Sequence, residues 1–143
     1  MKYIKLFENY IGDHYLDNEV TPNMENEFAH KVESGLRDIL VELFDKGMQV
    51  QVTWTDTKTI RLIFHYPLDE SGRPDNIFKI GDIYEYSQMI DEYMKDFWEE
   101  AECNYEYGSM NKVWDLTDLK DKDVRFVRMY INKIPTHKQR TNY

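Results

Sequence analysis

Apolar positions along the chain change their period several times, and each change marks a boundary between elements. From Phe28 onward, Val32, Leu36, Ile39, Leu40, Leu43 and Phe44 recur at steps of three or four, the spacing of one helical face. Thr21 followed by Pro22 offers an N-cap and a first-turn proline. Gly47 offers a stop. The spacing predicts a helix over about 22–46. The period then falls to two. Val50, Val52 and Trp54 alternate with Gln49, Gln51 and Thr53. After Asp56-Thr57-Lys58, Ile60, Leu62, Phe64 and Tyr66 alternate with Arg61, Ile63 and His65. Two such runs around a short polar break predict a β-hairpin, with one face on the helix and the other wetter.

Residues 67–76, rich in proline, glycine and acids, read as a loop, and Ile77–Ile80 as a short strand. Asp82 and Glu85 have the spacing of a capping box. Behind them Ile83, Tyr86, Ile90, Tyr93, Met94 and Phe97 share one face, which predicts a second helix running to about Glu100. Strands are expected at Cys103–Tyr107, ending at Gly108, at Lys112–Leu116 and at Val124–Asn132, with a turn-like stretch from Asp115 to Asp123. In the last strand Val124, Phe126, Arg128 and Tyr130 should point one way, and Arg125, Val127, Met129 and Ile131 the other. The order helix, hairpin, helix, strands predicts an α+β fold. The expected form is a two-layer sandwich of two helices packed on a mostly antiparallel sheet. The chain divides into an N-terminal segment (1–20), a single α+β domain (21–134) and a basic tail (135–143).

Composition narrows the function classes. The 143 residues fit one domain, and hydrophobic residues at 41% with well-spaced apolar runs argue against wholesale disorder. A formal net charge of −9 argues against a non-specific nucleic-acid binder, which needs a positive footprint. It suits a basic partner or mimicry of a polyanion. Cys103 is alone, which excludes an intramolecular disulfide and a cysteine zinc cluster and fits a reducing cytoplasm. No apolar run approaches the ~20 residues of a membrane span, and the apolar part of the N-terminus is too short for a secretory signal. A soluble, cytoplasmic protein with no membrane partner is expected.

The acidity is local. Residues 82–106 hold nine Asp or Glu and one Lys, a charge of −8. At ~100° per residue, Glu85, Glu92, Asp96 and Glu99 fall within one arc opposite the apolar face. They point outward from a convex helix and do not converge as metal ligands must. They are therefore partner-binding candidates, best suited to a basic protein surface. No metal, no cofactor and no direct nucleic-acid binding are expected. His14, His30, His65 and His137 show no i, i+4 pairing of a helical metal site. His65, on a strand, is the one placed to face a groove. The chain has no G-x-S-x-G elbow, no phosphate-binding glycine loop and no cysteine signature. Aromatic and basic residues interleave from Arg125 to Tyr130, as on a base-stacking platform, but strand alternation splits them between two faces.

The opening Met1-Lys2-Tyr3-Ile4-Lys5-Leu6-Phe7-Glu8 resembles the capsid-targeting peptide of head proteins in T4-like tailed phages. The resemblance covers about the first ten residues. It implies that a short N-terminal segment directs the protein into the prohead, where a protease cuts after the glutamate of a Leu/Ile-x-Glu tripeptide. Leu6, Phe7 and Glu8 match that tripeptide, with Glu8 before the cut. The rest of the chain resembles small uncharacterised tailed-phage proteins in general style.

Three function classes follow. The first is a non-enzymatic phage accessory protein acting by protein contact in the host cytoplasm or the virion interior. The second is an acidic inhibitor that imitates nucleic acid, which requires acids spread across a surface and not only along one helix. The third is a small enzyme with a site near the 67–76 loop, with His65 as its natural member.

Overall fold

The computed structural model describes residues 14–16, 27–56, 58–109 and 111–134. In chain order the elements are β1 (His14–Tyr15), α1 (Glu27–Asp45), β2 (Gln49–Asp56), β3 (Thr59–His65), β4 (Phe78–Lys79) and α2 (Gly81–Met94). They continue with β5 (Ala101–Tyr107), β6 (Asn111–Val113), a 3-10 turn (Thr117–Leu119), β7 (Asp123–Val124) and β8 (Val127–Lys133). The fold is α+β. Two helices pack on a six-stranded, wholly antiparallel sheet of order β1-β2-β3-β8-β5-β6, and β4 and β7 form a separate two-stranded ribbon.

The register explains why the apolar positions of the period-two runs are buried together on one side. Val50, Phe64, Val127 and Tyr107 line up across four strands. Val52, Leu62, Met129 and Tyr105 form the next row, and Trp54, Ile60, Ile131 and Cys103 the third. These rows join Ala29, Val32, Leu36, Leu40 and Leu43 of α1 and Ile83, Ile90 and Met94 of α2 in one core. Each fully buried side chain of this size contributes about 1.5–3 kcal/mol over leaving it in water. The opposite face carries Gln51, Ile63, Arg128 and Glu106 in one row and Thr53, Arg61, Tyr130 and Asn104 in another.

α1 ends at the expected glycine. Gly47 adopts φ +95°, its N–H bonds the Phe44 carbonyl, and the Met48 N–H reaches back to the Leu43 carbonyl. This pair of bonds, with buried Met48 beside it, is the Schellman stop. The start expected at Thr21 and Pro22 lies outside the described residues.

Three expectations are corrected. α2 has no capping box. The Gly81 N–H donates to the Lys120 carbonyl at 2.8 Å, which starts the helix at Gly81. Asp82 therefore lies in the first turn, and its carboxylate accepts from the Lys79 N–H instead. α2 also stops at Met94, not near Glu100. From Lys95 the chain closes through short turns at 95–97 and then feeds β5, which begins earlier than the alternation indicated, at Ala101. Finally, the single strand expected over Val124–Asn132 is two. Val124 pairs with Phe78 in the ribbon and is buried there, so it does not share a face with Arg128 and Tyr130.

The short β1 is held by more than its ladder. Leu16 is fully buried in the core, its N–H bonds the Val50 carbonyl, and its carbonyl accepts from Arg37 Nε at 2.5 Å. Residues 14–16, from the N-terminal segment, are thus built into the edge of the sheet.

Candidate functional site

Charge separates between the two layers. α1 and α2 hold nine carboxylates against two cations, a net of −7, while the six strands of the main sheet hold three against four, a net of +1. The acidic layer is built around a seam where the helices run antiparallel. Tyr86 of α2 donates its hydroxyl to Glu42 Oε2 of α1 at 2.8 Å. Two turns later Tyr93 reaches α1 at Gly35, donating to the carbonyls of Lys31 and Val32 at 3.2 and 3.3 Å.

Gly35 makes the second contact possible. A Cβ built there would lie 1.9 Å from the Tyr93 hydroxyl and 2.2 Å from the ring carbon that bears it. Glycine inside a helix ordinarily costs roughly 0.5–1 kcal/mol relative to alanine, so Gly35→Ala would normally stabilise. Here the displaced ring reverses the sign. Gly35→Ala is expected to lose about 1–2 kcal/mol in thermal or urea unfolding. In a Tyr93→Ala background the same change should stabilise, and a favourable effect in both backgrounds would contradict the seam.

The seam tyrosines report the potential around them. Tyr86 is pushed above its ordinary value first by the hydrogen bond to Glu42, then by partial burial and by the charges of Glu42 and Glu85. Tyr93 is pushed up by burial and by Asp38 and Asp96. Each tyrosine therefore feels carboxylates from both sides of the seam: Glu42 of α1 and Glu85 of α2 at Tyr86, and Asp38 of α1 and Asp96, just past the end of α2, at Tyr93. Met89 lies one turn from both Glu85 and Glu92 and is 43% exposed, an apolar point within the acidic arc.

The candidate partner-binding residues divide. Glu85 and Glu92 are exposed on α2. Asp96 and Glu99 are also exposed but lie past the end of the helix, so the four do not form a single helical arc. Asp38 and Glu42 of α1 were not among the candidates. Their signal was present, since they fall on the side of α1 opposite Leu36 and Leu43, but nothing local says that two helices lie side by side. Asp91 turns inward. It accepts from Cys103 Sγ at 3.2 Å and pairs with Lys95 at 3.6 Å. Leu6, Phe7 and Glu8 lie outside the described residues.

His65, the histidine singled out beside the 67–76 loop, has both ring nitrogens engaged by protein groups. It is buried, with Nδ1 2.6 Å from the Tyr66 carbonyl and Nε2 3.0 Å from the Tyr15 hydroxyl. That pattern places the proton on Nδ1 and leaves Nε2 to accept from Tyr15. A second histidine contact was not anticipated: His14 Nε2 lies 2.6 Å from Glu33 Oε1, while Glu33 Oε2 accepts from Trp54 Nε1 at 2.7 Å. Among the described residues no group of three His, Cys, Asp or Glu could hold a metal ion, and no helix is long and apolar enough to cross a membrane.

These features define a two-layer α+β domain with an acidic helix layer. Compared with family models, curated proteins and solved structures, the chain matches none.

Proposed function

We propose that the domain works by protein contact, presenting its helix layer to a basic surface on a partner. The observation that carries this reading is the meeting of carboxylates from two helices about the Tyr86–Tyr93 seam. An isolated acidic helix is an ordinary solvated face. Two rows that flank a tyrosine seam, with Met89 exposed among them, combine charge for steering with aromatic and apolar area for contact. A narrower reading is favoured by the same two rows. Acids spread across a surface are what a mimic of nucleic acid requires, and the partner's basic surface would then be a groove that otherwise holds nucleic acid.

Affinity capture with the full chain as bait, from a lysate of a bacterial host, tests both readings. The native bait should retain a basic protein. Glu85→Lys with Glu92→Lys should reduce its recovery about tenfold or more, and Lys112→Glu with Arg125→Glu, outside the helix layer, should not. Equal retention by the native and helix-reversed baits would remove the helix layer as the contact. Release of the captured protein by double-stranded DNA would support mimicry, and indifference to DNA would leave the protein-contact reading alone.

A further inference from the structure

The six-stranded sheet ends in β6, and among the described residues no strand lies along its outer edge. An edge strand presents unpaired N–H and C=O groups, a template for another strand. β6 pairs inward with Tyr105, Glu106 and Tyr107 of β5. Trp114 follows it directly and is 65% exposed, more than any other large hydrophobic side chain among the described residues. Val113 lies in register with Tyr105, on the core side of the sheet. Lys112 lies in register with Glu106 on the opposite side, where its ammonium stands 5.6 Å from the centre of the Tyr130 ring. Strand alternation puts Trp114 on the same side as Lys112. A lysine and an exposed tryptophan therefore stand two residues apart on one face of a free edge.

The segment Lys112-Val113-Trp114 is complementary to itself. Laid antiparallel against a copy, with Val113 opposite Val113, it sets Lys112 of each chain opposite Trp114 of the other. Two cation–aromatic pairs then form across the ladder, and indole is the best of the aromatic rings for a cation. On the other face two valines meet. Centring the pair on Lys112 would instead set two ammonium groups directly opposite each other, which is destabilising. A lysine on a short edge strand ordinarily discourages pairing. Here it selects the register.

We infer that β6 is a homodimerisation edge: a second copy of this chain adds its own β6 antiparallel, across a two-fold axis at Val113. The two-fold makes the contact closed, so it yields a dimer and not a fibre. A ladder this short buries little area, so the dimer is weak and forms with rising concentration. The pairing uses no residue of α1 or α2, so it stands apart from the contact reading. It would join two helix layers in one particle and raise avidity for a partner with repeated sites.

Sedimentation equilibrium of the full chain, from about 10 µM to about 1 mM, covers the range of weak association. At about 0.15 M salt the Debye length is ~8 Å, which screens the net charge of −9 on each copy. The apparent mass should rise from the monomer's 17.4 kDa toward twice that value. Trp114→Lys sets ammonium opposite ammonium and should weaken the dimer about tenfold or more. Trp114→Glu sets a carboxylate opposite Lys112 and should keep the affinity within about threefold of the native chain. Both changes fall on an exposed side chain and leave the core untouched. A native chain that stays at the monomer mass throughout would overturn the inference. So would equal weakening by the two substitutions, since the indole would then not be paired with Lys112. Dimers unaffected by either substitution would place the contact elsewhere and overturn it as well.

Discussion

Replacing Glu33 by alanine should cost about 3–5 kcal/mol of folding stability, the range for removing one member of a buried charged network. Glu33 is 1% exposed. One carboxylate oxygen accepts from the indole N–H of Trp54 and the other lies against His14. Trp54 is itself buried, so its N–H would lose this acceptor, a cost of roughly 1–3 kcal/mol. The deleted carboxyl and methylene groups leave a void beside Trp54, whose ring packs edge-on against Phe28, and their loss removes the His14 contact to α1. Glu33→Gln should cost less, about 1–2 kcal/mol, because an amide oxygen can still accept from Trp54. Urea titration followed by tryptophan fluorescence gives both numbers, and the order Ala > Gln is the sharper outcome. A double-mutant cycle with His14→Ala should show coupling above about 0.5 kcal/mol. Losses below about 1 kcal/mol for Glu33→Ala would mean that neither contact holds the fold in solution.

Glu33 also shows where sequence reading stops. Along α1 it lies one turn from both Ala29 and Leu36, at the edge of the arc that Leu36 and Leu40 bury. A carboxylate inside an apolar stripe is a visible anomaly. Its partners are not visible, because Trp54 is on β2 and His14 is on an edge strand of two residues, too short to leave any periodic signal. The long elements were legible for the opposite reason. α1 and the β2–β3 hairpin each bury one continuous face, and the alternation of Val50, Val52 and Trp54 against Ile60, Leu62 and Phe64 matches the observed register pair for pair. The failures lie where tertiary hydrogen bonds override local pattern. The carbonyl of Lys120 sets the start of α2 and dissolves the expected capping box. Pairing with Phe78 draws Val124 out of β8, although the alternation through it was unbroken.

The acidic layer was half legible. The carboxylates of residues 82–106 are dense enough to be seen as a run, and Glu85 and Glu92 stand exposed on α2 as the arc required. Asp38 and Glu42 join them because Gly35 admits Tyr93 and Glu42 accepts from Tyr86, which lays α1 beside α2. Glycine in a helix reads as a defect until the ring that fills its place is known. A surface made by two elements has no one-dimensional signature, and that separates an acidic stretch from an acidic face.

On the alkaline side, stability should hold to about pH 9 and then fall, steepening above pH 10. The cause lies at the junction of α2 and β5. Burial raises the Cys103 thiol well above its ordinary 9.0, and the charge of Asp91 and the hydrogen bond to it add to the rise. Burial likewise raises the Tyr105 hydroxyl above 10.0, with the neighbouring Cys103 adding to it. Both groups therefore keep their protons in the folded state at a pH where the unfolded chain has lost them. Where the unfolded state binds fewer protons, stability declines as pH rises. The contribution is complete below the unfolded values, near 9 for the thiol and near 10 for the phenol, and drains away above each. Each group supplies a slope of up to about 1.4 kcal/mol per pH unit, so the limit is about 1.4 between pH 9 and 10 and about 2.7 above 10. Tyr86 and Tyr93 act with the same sign, more weakly because they are closer to solvent. Urea unfolding at pH 7, 9, 10 and 10.5 measures the curve. Cys103→Ala isolates its first limb, since the variant has no thiol to titrate and should stay level until about pH 10 before falling with Tyr105. An onset at pH 9 that persists in Cys103→Ala would assign the loss to other groups, and a native chain level through pH 10.5 would mean that β5 does not bury these side chains against α2 in solution.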